Sequence, residues 1–450
     1  MKDRGSSIED GRSRVASYPQ SSILYLLSSI PYPSIFNLRQ RGTMRTLLTL
    51  LVFVNASAFA QSPGWPQWGG PQRNFMVEGK GLAANWPVDG PKRLWSRELG
   101  EGHSSIIADG GRLYTMYSKG NQEFVIALDA SSGKTIWEKS NEAPTAGLAL
   151  ENGNGPHSTP ALAGDLLFTV GLIGKLQAFD KKSGSVMWSH DLYKEYGGTK
   201  MGRGYSCSPL SWKTTVIVTV GGAGQALMAF DQKTGTVVWK KQDFSLSPST
   251  PTIINVDGQD QLVIVLADHI VGMNPNNGDL LWSHPHNCDW GLNISLPVWG
   301  AGNILVVSSA YSGGSRALQL NQSDGKTTVK ELWASRRMRV HHGTMIRLGD
   351  LVFGSSGDFG PAPMTAVDVR TGNTVWQDRS FPKANLVYAD GKVILLDEDG
   401  VLALVTLSPQ GMKIISKTNL LTHLSWTPPT LAGTKLYVRD RKMIVALDLS

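Results

Sequence analysis

One phrase, Asp-x-x-(Ser/Thr)-Gly-x-x-x-Trp, recurs along the 450-residue chain and limits what it can fold into. It reads Leu-Asp129-Ala-Ser-Ser-Gly133-Lys-Thr-Ile-Trp137, then Phe-Asp180-Lys-Lys-Ser-Gly184-Ser-Val-Met-Trp188. Next come Phe-Asp231-Gln-Lys-Thr-Gly235-Thr-Val-Val-Trp239 and Met-Asn274-Pro-Asn-Asn-Gly278-Asp-Leu-Leu-Trp282. Asn321 to Trp333 is a stretched copy, and Val-Asp368-Val-Arg-Thr-Gly372-Asn-Thr-Val-Trp376 restores the original spacing. A unit repeated at this period implies a propeller, a solenoid or an array.

Within a unit the pattern predicts four short strands. Thr159-Pro-Ala-Leu-Ala163 precedes a Gly164-Asp165 turn, then Leu166-Leu-Phe-Thr-Val170, a Gly174-Lys175 turn, Leu176-Gln-Ala-Phe179, the Asp180–Gly184 turn and Val186-Met-Trp188. Short apolar and β-branched runs between Gly/Asp/Asn turns are antiparallel strand signals. An Asp opening a turn can accept from the backbone two residues on, and Gly can close it at positive φ. The Trp supplies a large apolar plate for packing between units. Four-stranded sheets repeated radially make a β-propeller, which leaves only short edges.

Closing-strand tryptophans stand at 95, 137, 188, 239, 282, 333 and 376. A seventh unit, Lys392 to Ser416, carries Ile414-Ile415 where Trp is expected, and an eighth, Leu436 to Asp448, ends before a fourth strand. The orphan strand Lys92-Arg-Leu-Trp95-Ser precedes any complete unit and can fill that gap. The expectation is therefore an all-β, eight-bladed β-propeller over residues 95–450, with tryptophan-docking motifs and a ring closed by the N-terminal strand around Trp95.

The Ala-(Leu/Phe/Val)-Asp-x-x-(Ser/Thr)-Gly-x-x-x-Trp phrase resembles the tryptophan-docking repeat of the pyrroloquinoline-quinone (PQQ) propeller superfamily. Trp65-Pro-Gln-Trp-Gly-Gly-Pro71-Gln-Arg-Asn74 is similar to the segment that opens many such propellers. That superfamily includes PQQ-dependent dehydrogenases and the non-enzymatic lipoprotein of the outer-membrane β-barrel assembly machinery. One fold hosts both an enzyme and a scaffold, so function has to be argued from the site. The adjacent cysteines of many PQQ alcohol dehydrogenases are absent, as is a Cys after the cleavage signal for a lipid anchor.

The N-terminus carries an address. Met44-Arg45, the apolar run Leu47–Val54 and Ala58-Phe-Ala60 before Gln61 form a secretory signal peptide at 44–60. A periplasmic or secreted chain beginning near Gln61 is expected, with 61–94 as its N-terminal segment. Residues 1–43 form no blade and read as a mis-assigned upstream extension. Pro31 and Pro33 interrupt its apolar stretch, so no transmembrane anchor is expected. Six Lys or Arg against three Asp or Glu in residues 1–43, with Arg45 beyond, account for four of the formal +7 and leave +3. No basic tract interleaved with aromatics remains, which argues against nucleic acid. Cys207 and Cys288 could pair in an oxidising compartment, and each sits before the inner strand of a different blade.

Aligned on their inner strands, the units read His103, His157, Ser206, Pro248, Ile294, His342, Lys383 and Trp426 at one position. The next position reads Ser104, Ser158, Cys207, Ser249, Ser295, Gly343, Ala384 and Thr427. All eight of the second set are small, as converging strands require. The first set, with the loops that carry Asn154, Arg203, Asp289, Trp290, Asn293, Arg339 and Asp358, would line a concave mouth, the default place for a ligand. The cofactor-binding candidates are His103, His157, Arg203, Trp290, Asn293, Arg339, His342, Lys383 and Trp426. The plainer reading is a water-filled channel lined by satisfied polar groups.

His341-His342 lies at a strand edge, where neighbours point to opposite faces, which argues against a two-His metal site. Asp397-Glu-Asp-Gly400 reads as a hairpin turn before a calcium loop. Two functions remain. One is an exported, monomeric, non-catalytic binding or scaffold propeller that takes a protein, glycan or small ligand at its mouth. The other, implied by the resemblance, is a PQQ-dependent quinoprotein oxidoreductase acting on alcohols or sugars. For it Asp358 or Asp289 would be the base, Arg203 or Arg339 the cation, and Asn154 or Asn293 calcium ligands.

Overall fold

A computed structural model describes residues 64–450. The predicted signal peptide and upstream extension lie outside the described residues. The strands assemble into eight blades arranged as a β-propeller, seven of them four-stranded sheets. Blade 2 is typical, with antiparallel strands Ala161–Ala163, Leu166–Val170, Lys175–Asp180 and Val186–Asp191 running from the channel outward. The predicted stretched copy forms the long outer strands Gly314–Ser323 and Lys326–Ser335 of blade 5.

The repeated phrase works as a plug and socket between blades. The Asp opens the turn: Asp180 Oδ1 accepts from the Lys182 and Ser183 amides at 3.2 and 2.7 Å. The Gly closes it at positive φ, +72° at Gly184. The Trp of the preceding blade then lies on that bare Cα. A Cβ on Gly184 would stand 2.6 Å from the Trp137 ring, closer than packed atoms approach. Trp137 Nε1 also donates to Lys181 O at 3.0 Å, the carbonyl just after the Asp. The same pair recurs as Trp95 on Gly133, Trp188 on Gly235 and Trp333 on Gly372. Trp239 lies on Gly278, but its buried Nε1 has no partner. Thus the glycine is required twice, for its φ and for the ring that covers it.

A β-bulge aims the plug. In blade 3, Trp239 pairs with Ala229 and Val237 with Phe230, which leaves Val238 extra. The same shift falls one residue before the Trp position in every blade, including Leu94 before Trp95; in blade 7 the extra residue is Ile415, so Ser416, and not the expected Ile414-Ile415, takes the Trp position. Strand alternation alone would put the Trp and the residue two before it on one face, so the bulge re-aims the ring toward the next blade.

Trp282 departs from the expected packing between blades. Its next blade carries the stretched copy, whose Gly325 has nothing within 4 Å of a would-be Cβ. With no socket ahead, Trp282 turns into its own sheet, against Gly272, and donates from Nε1 to Gln261 Oε1 at 2.7 Å.

Closure follows the sequence expectation. Lys92–Glu98 is the outer strand of blade 8, antiparallel to Met443–Asp448, with Trp95 opposite Ala446. The segment before it has a role the sequence did not reveal. Trp65 and Ala108 exchange backbone hydrogen bonds at 2.8 and 2.9 Å, and Leu162 N donates to Pro66 O at 2.8 Å. Arg73 reaches Ser211 O at 3.1 Å, and Met76–Val77 adds a parallel strand beside Tyr388–Ala389. Each contact falls at the far end of an inner strand in blade 1, 2, 3 or 7. Trp65 and Phe75 are buried there. The N-terminal segment therefore covers the channel end opposite the mouth.

Removing residues 64–98 strips an outer strand and this cover together, leaving Met443–Asp448 as a bare edge prone to intermolecular pairing. The truncated chain is expected to melt lower and to self-associate in sedimentation velocity. A monomer with unchanged melting would contradict this closure.

Candidate binding site at the channel mouth

The small residues at the inner-strand starts are all buried, as convergence demands. Their hydroxyls are mostly spent on the fold. Ser158 donates to Val170 O, Ser249 to Val265 O at 2.5 Å, Ser295 to Gly343 O at 2.8 Å and Thr427 to His103 O at 3.1 Å. Only Ser104 Oγ of this set is buried without a partner.

One residue earlier, the long side chains meet at the centre. His103 stacks on Trp426 at 5.4 Å between ring centroids and stands 5.6 Å from His157. Trp426, from blade 8, also lies 4.3 Å from His342 of blade 6, so the two span blade 7 between them. His341 follows at 4.8 Å from His342, and Tyr311 at 5.1 Å from His341. Residues 341–343 are bends rather than strand, so the strand-edge expectation of opposite faces fails and both rings turn to the mouth. Lys383, 7% exposed, holds its ammonium 3.4 Å from His341 Nδ1, 3.2 Å from Asp358 O and 5.7 Å from the Trp426 ring. An ammonium only donates, so the proton of the neutral His341 ring sits on Nε2 and points to Tyr311 Oη, 3.0 Å away.

The imidazoles are held neutral. Burial, then the neighbouring His157, keeps His103 down at about 3. Burial and Arg203 keep His157 at about 4. Burial, Lys383 and Arg203 keep His341 at about 3, and burial leads for His342, which lies well below its ordinary value. The charges acting on these four rings come from one another and from Arg203, Lys383, Arg439 and Arg441, all cationic. His157 Nε2 and both ring nitrogens of His342 are shielded from solvent without a hydrogen-bond partner. Buried polar atoms left this way in a polar channel are sites for water or ligand.

The remaining candidates lie around the rim. Arg203 pairs with Glu151 at 2.5 Å, and its charge reaches His157, Tyr311 and His341. Arg339 Nη1 meets Asp358 Oδ2 at 2.7 Å, while Asp358 Oδ1 accepts from Tyr311 N at 2.8 Å. Asp289 accepts from Ser312 Oγ at 2.5 Å. Trp290 is 76% exposed, edge-on to Tyr311 at 5.1 Å. Asn154 is exposed on its loop. Asn293 is buried, with its amide donating to Leu266 O at 2.6 Å and its carbonyl accepting from Ser309 at 2.5 Å. Asp397 closes its hairpin by accepting from Asp399 N and Val401 N at 3.1 and 2.9 Å. Cys207 and Cys288 are unpaired. The sequence alignment of blades missed His341, Tyr311 and Phe359 as members of this group.

The centre of the mouth does not fit PQQ with calcium. A planar tricycle needs an open ring face, yet Trp426 is packed against both His103 and His342. Calcium needs several oxygen ligands, whereas of the two calcium candidates Asn293 is buried and engaged with Leu266 and Ser309 and Asn154 is exposed on its loop. Among the described residues no group of three or more His, Cys, Asp or Glu is placed to hold a metal.

A family model described as "Outer membrane protein assembly factor BamB" matches residues 121–378, and the chain belongs to this family of PQQ-like β-propellers. Outer membrane protein assembly factor BamB of Yersinia pestis is 23% identical over 307 residues, 63% of this chain and 72% of that protein. Quinohemoprotein alcohol dehydrogenase ADH IIB of Pseudomonas putida is 30% identical over 147 residues, and the chain spans only 20% of its length against 31% of its own. Among solved structures, quinohemoprotein alcohol dehydrogenase from Comamonas testosteroni superposes with a TM-score of 0.60 at 14% identity, over 87% of this chain and 81% of that one. At that identity the likeness is one of fold. Among the described residues no helix is long and apolar enough to cross a membrane.

The neutral histidines make stability pH-dependent with a definite sign. The unfolded chain protonates them near pH 6.5, about their ordinary value, while the folded chain resists until about 3–4. The unfolded state then binds more protons, so stability falls as pH drops from about 6.5 toward 4. Melting temperature measured across this window should fall less steeply in His157→Gln than in the unaltered chain. Parallel curves would mean that His157 is not held neutral.

Proposed function

We propose that this chain is an exported, non-catalytic binding or scaffold propeller that presents its loop face to a partner. The observation that carries this reading is the packing of Trp426 between His103 and His342, which gives the centre of the mouth to the chain's own rings. Asp358 and Asp289, the carboxylates a quinoprotein would use as bases, are occupied with Arg339 and Tyr311 and with Ser312. Membership of a family described as an outer membrane protein assembly factor supports a role in holding other proteins. Cleavage near Gln61 would deliver the chain to the periplasm or outside the cell, where a monomer with its loop face free can engage such a partner. The competing reading, an oxidoreductase on alcohols or sugars, draws on the similarity to quinohemoprotein alcohol dehydrogenases and would require these rings to part.

The two readings separate on one preparation. Purified protein is incubated with PQQ and calcium, desalted, scanned for retained chromophore, and offered alcohols and sugars with an artificial electron acceptor. The expected result is no retained chromophore and no reduction of the acceptor. Retained PQQ with turnover abolished by Asp358→Asn would overturn the non-catalytic reading.

A further inference from the structure

Among the described residues, the large hydrophobics that stand exposed are aliphatic except for two, Trp290 at 76% and Phe359 at 79%. They come from different blades, yet both stand against Tyr311, with centroids at 5.1 and 5.6 Å. Trp290 meets Tyr311 at 85°, so the two rings form the walls of a corner. Trp290 and Tyr311 also hold φ of +58° and +54°, a backbone region uncommon for bulky residues. Strain of this kind persists only where the surroundings enforce it.

The surroundings do so here. Asp358 accepts the Tyr311 amide at 2.8 Å, and His341 Nε2 donates to the Tyr311 hydroxyl at 3.0 Å. The Asp289 amide donates to Ser312 Oγ at 3.1 Å, and that hydroxyl returns to Asp289 Oδ1 at 2.5 Å. Three loops are thereby fixed around one aromatic corner, which lowers the ordering cost of binding. The adjacent charge is net basic: Asp358 is offset by Arg339, and the Asp289 carboxylate beside Trp290 is outnumbered by arginines. Arg336 and Arg337 are exposed and make no ion pair among the described residues, and the Arg336 backbone lies against Gly314 of the same hairpin as Tyr311. The Arg203 charge also reaches Tyr311. Exposed aromatics beside arginine are the composition of binding hot spots.

We infer that the Trp290–Tyr311–Phe359 corner, with Arg336 and Arg337, docks a polypeptide segment of a partner protein in which apolar side chains alternate with Asp or Glu. The apolar side chains fill the corner and the carboxylates meet the guanidiniums. This inference rests on the proposed scaffold role and assigns it one surface.

The test uses fluorescein-labelled peptides and the full chain, read by anisotropy at low and moderate salt. One peptide alternates Glu with Leu and Phe, a second replaces Glu with Lys, and a third replaces Leu and Phe with Ser. The first should bind and the others should not. Trp290→Ala with Phe359→Ala, and separately Arg336→Glu with Arg337→Glu, should each weaken it roughly tenfold or more. Met187→Ala with Val238→Ala, on exposed outer strands, should leave binding unchanged, and matching melting curves would show that all variants fold. Equal binding of the Lys peptide, or variants that bind as the unaltered chain does, would overturn the inference. So would an oligosaccharide that binds in place of the peptide and is lost in Trp290→Ala, because the corner would then stack sugars. Quinone binding is read separately, so failure of the peptide arm and failure of the scaffold reading remain distinguishable.

Discussion

An indole lying on a bare glycine Cα is the contact on which the rest of this ring depends. Each complete socket uses three groups: an Asp that ties the turn, a Gly at positive φ, and a carbonyl that accepts the indole N–H. The Trp belongs to the preceding blade, so every docking joins two sheets. The contact excludes even a methyl group, because a Cβ at Gly133, Gly184, Gly235, Gly278 or Gly372 would lie 2.5–2.6 or 2.7 Å from the ring. Blade packing therefore depends on the motif rather than on general hydrophobic cover, although burial of each indole supplies much of the energy.

Docking at Gly133, Gly184, Gly235, Gly278 and Gly372 helps to fix the channel. Eight inner strands converge, so their starts tolerate only small residues, and the hydroxyls there bond to neighbouring carbonyls. The next residues outward have room for long side chains, and these meet across non-adjacent blades. Trp426 touching His342 is the clearest case. The far end is covered by Trp65 to Val77 and the near end is crowded by rings, while Trp290, Phe359 and the exposed arginines stand at the rim.

The blade count and the closing strand were legible because each rests on a local pattern: eight residues from Asp to Trp, and an orphan N-terminal strand that matches a last unit lacking its fourth. The inner-strand alignment also brought His103, His157, His342, Lys383 and Trp426 to one level. What it could not reveal was reach. Spacing does not tell how far a ring extends across a channel, so the packing of Trp426 with His342 and the convergence of His341 were invisible. Trp282 turning into its own blade was readable in principle, since Gly325 belongs to the stretched copy that offers no socket. The cover formed by Trp65 to Val77 leaves no periodic signal, because its partners lie at the ends of inner strands in four blades.

The docking claim is tested most directly by two glycines of similar φ that differ in what faces them. Gly184 and Gly325 have φ of +72° and +75°, but Gly184 lies under Trp137 and Gly325 faces open space. Both Ala variants place a side chain at a similar positive φ, so chemical denaturation of the pair compares the covered position with the open one. Gly184→Ala should cost about 1–3 kcal/mol more than Gly325→Ala, the range for overpacking a tight contact. Combining it with Trp137→Ala should remove that excess, because the ring it collides with is gone. Equal costs for the two glycines, or strictly additive effects of Gly184→Ala and Trp137→Ala, would contradict the account.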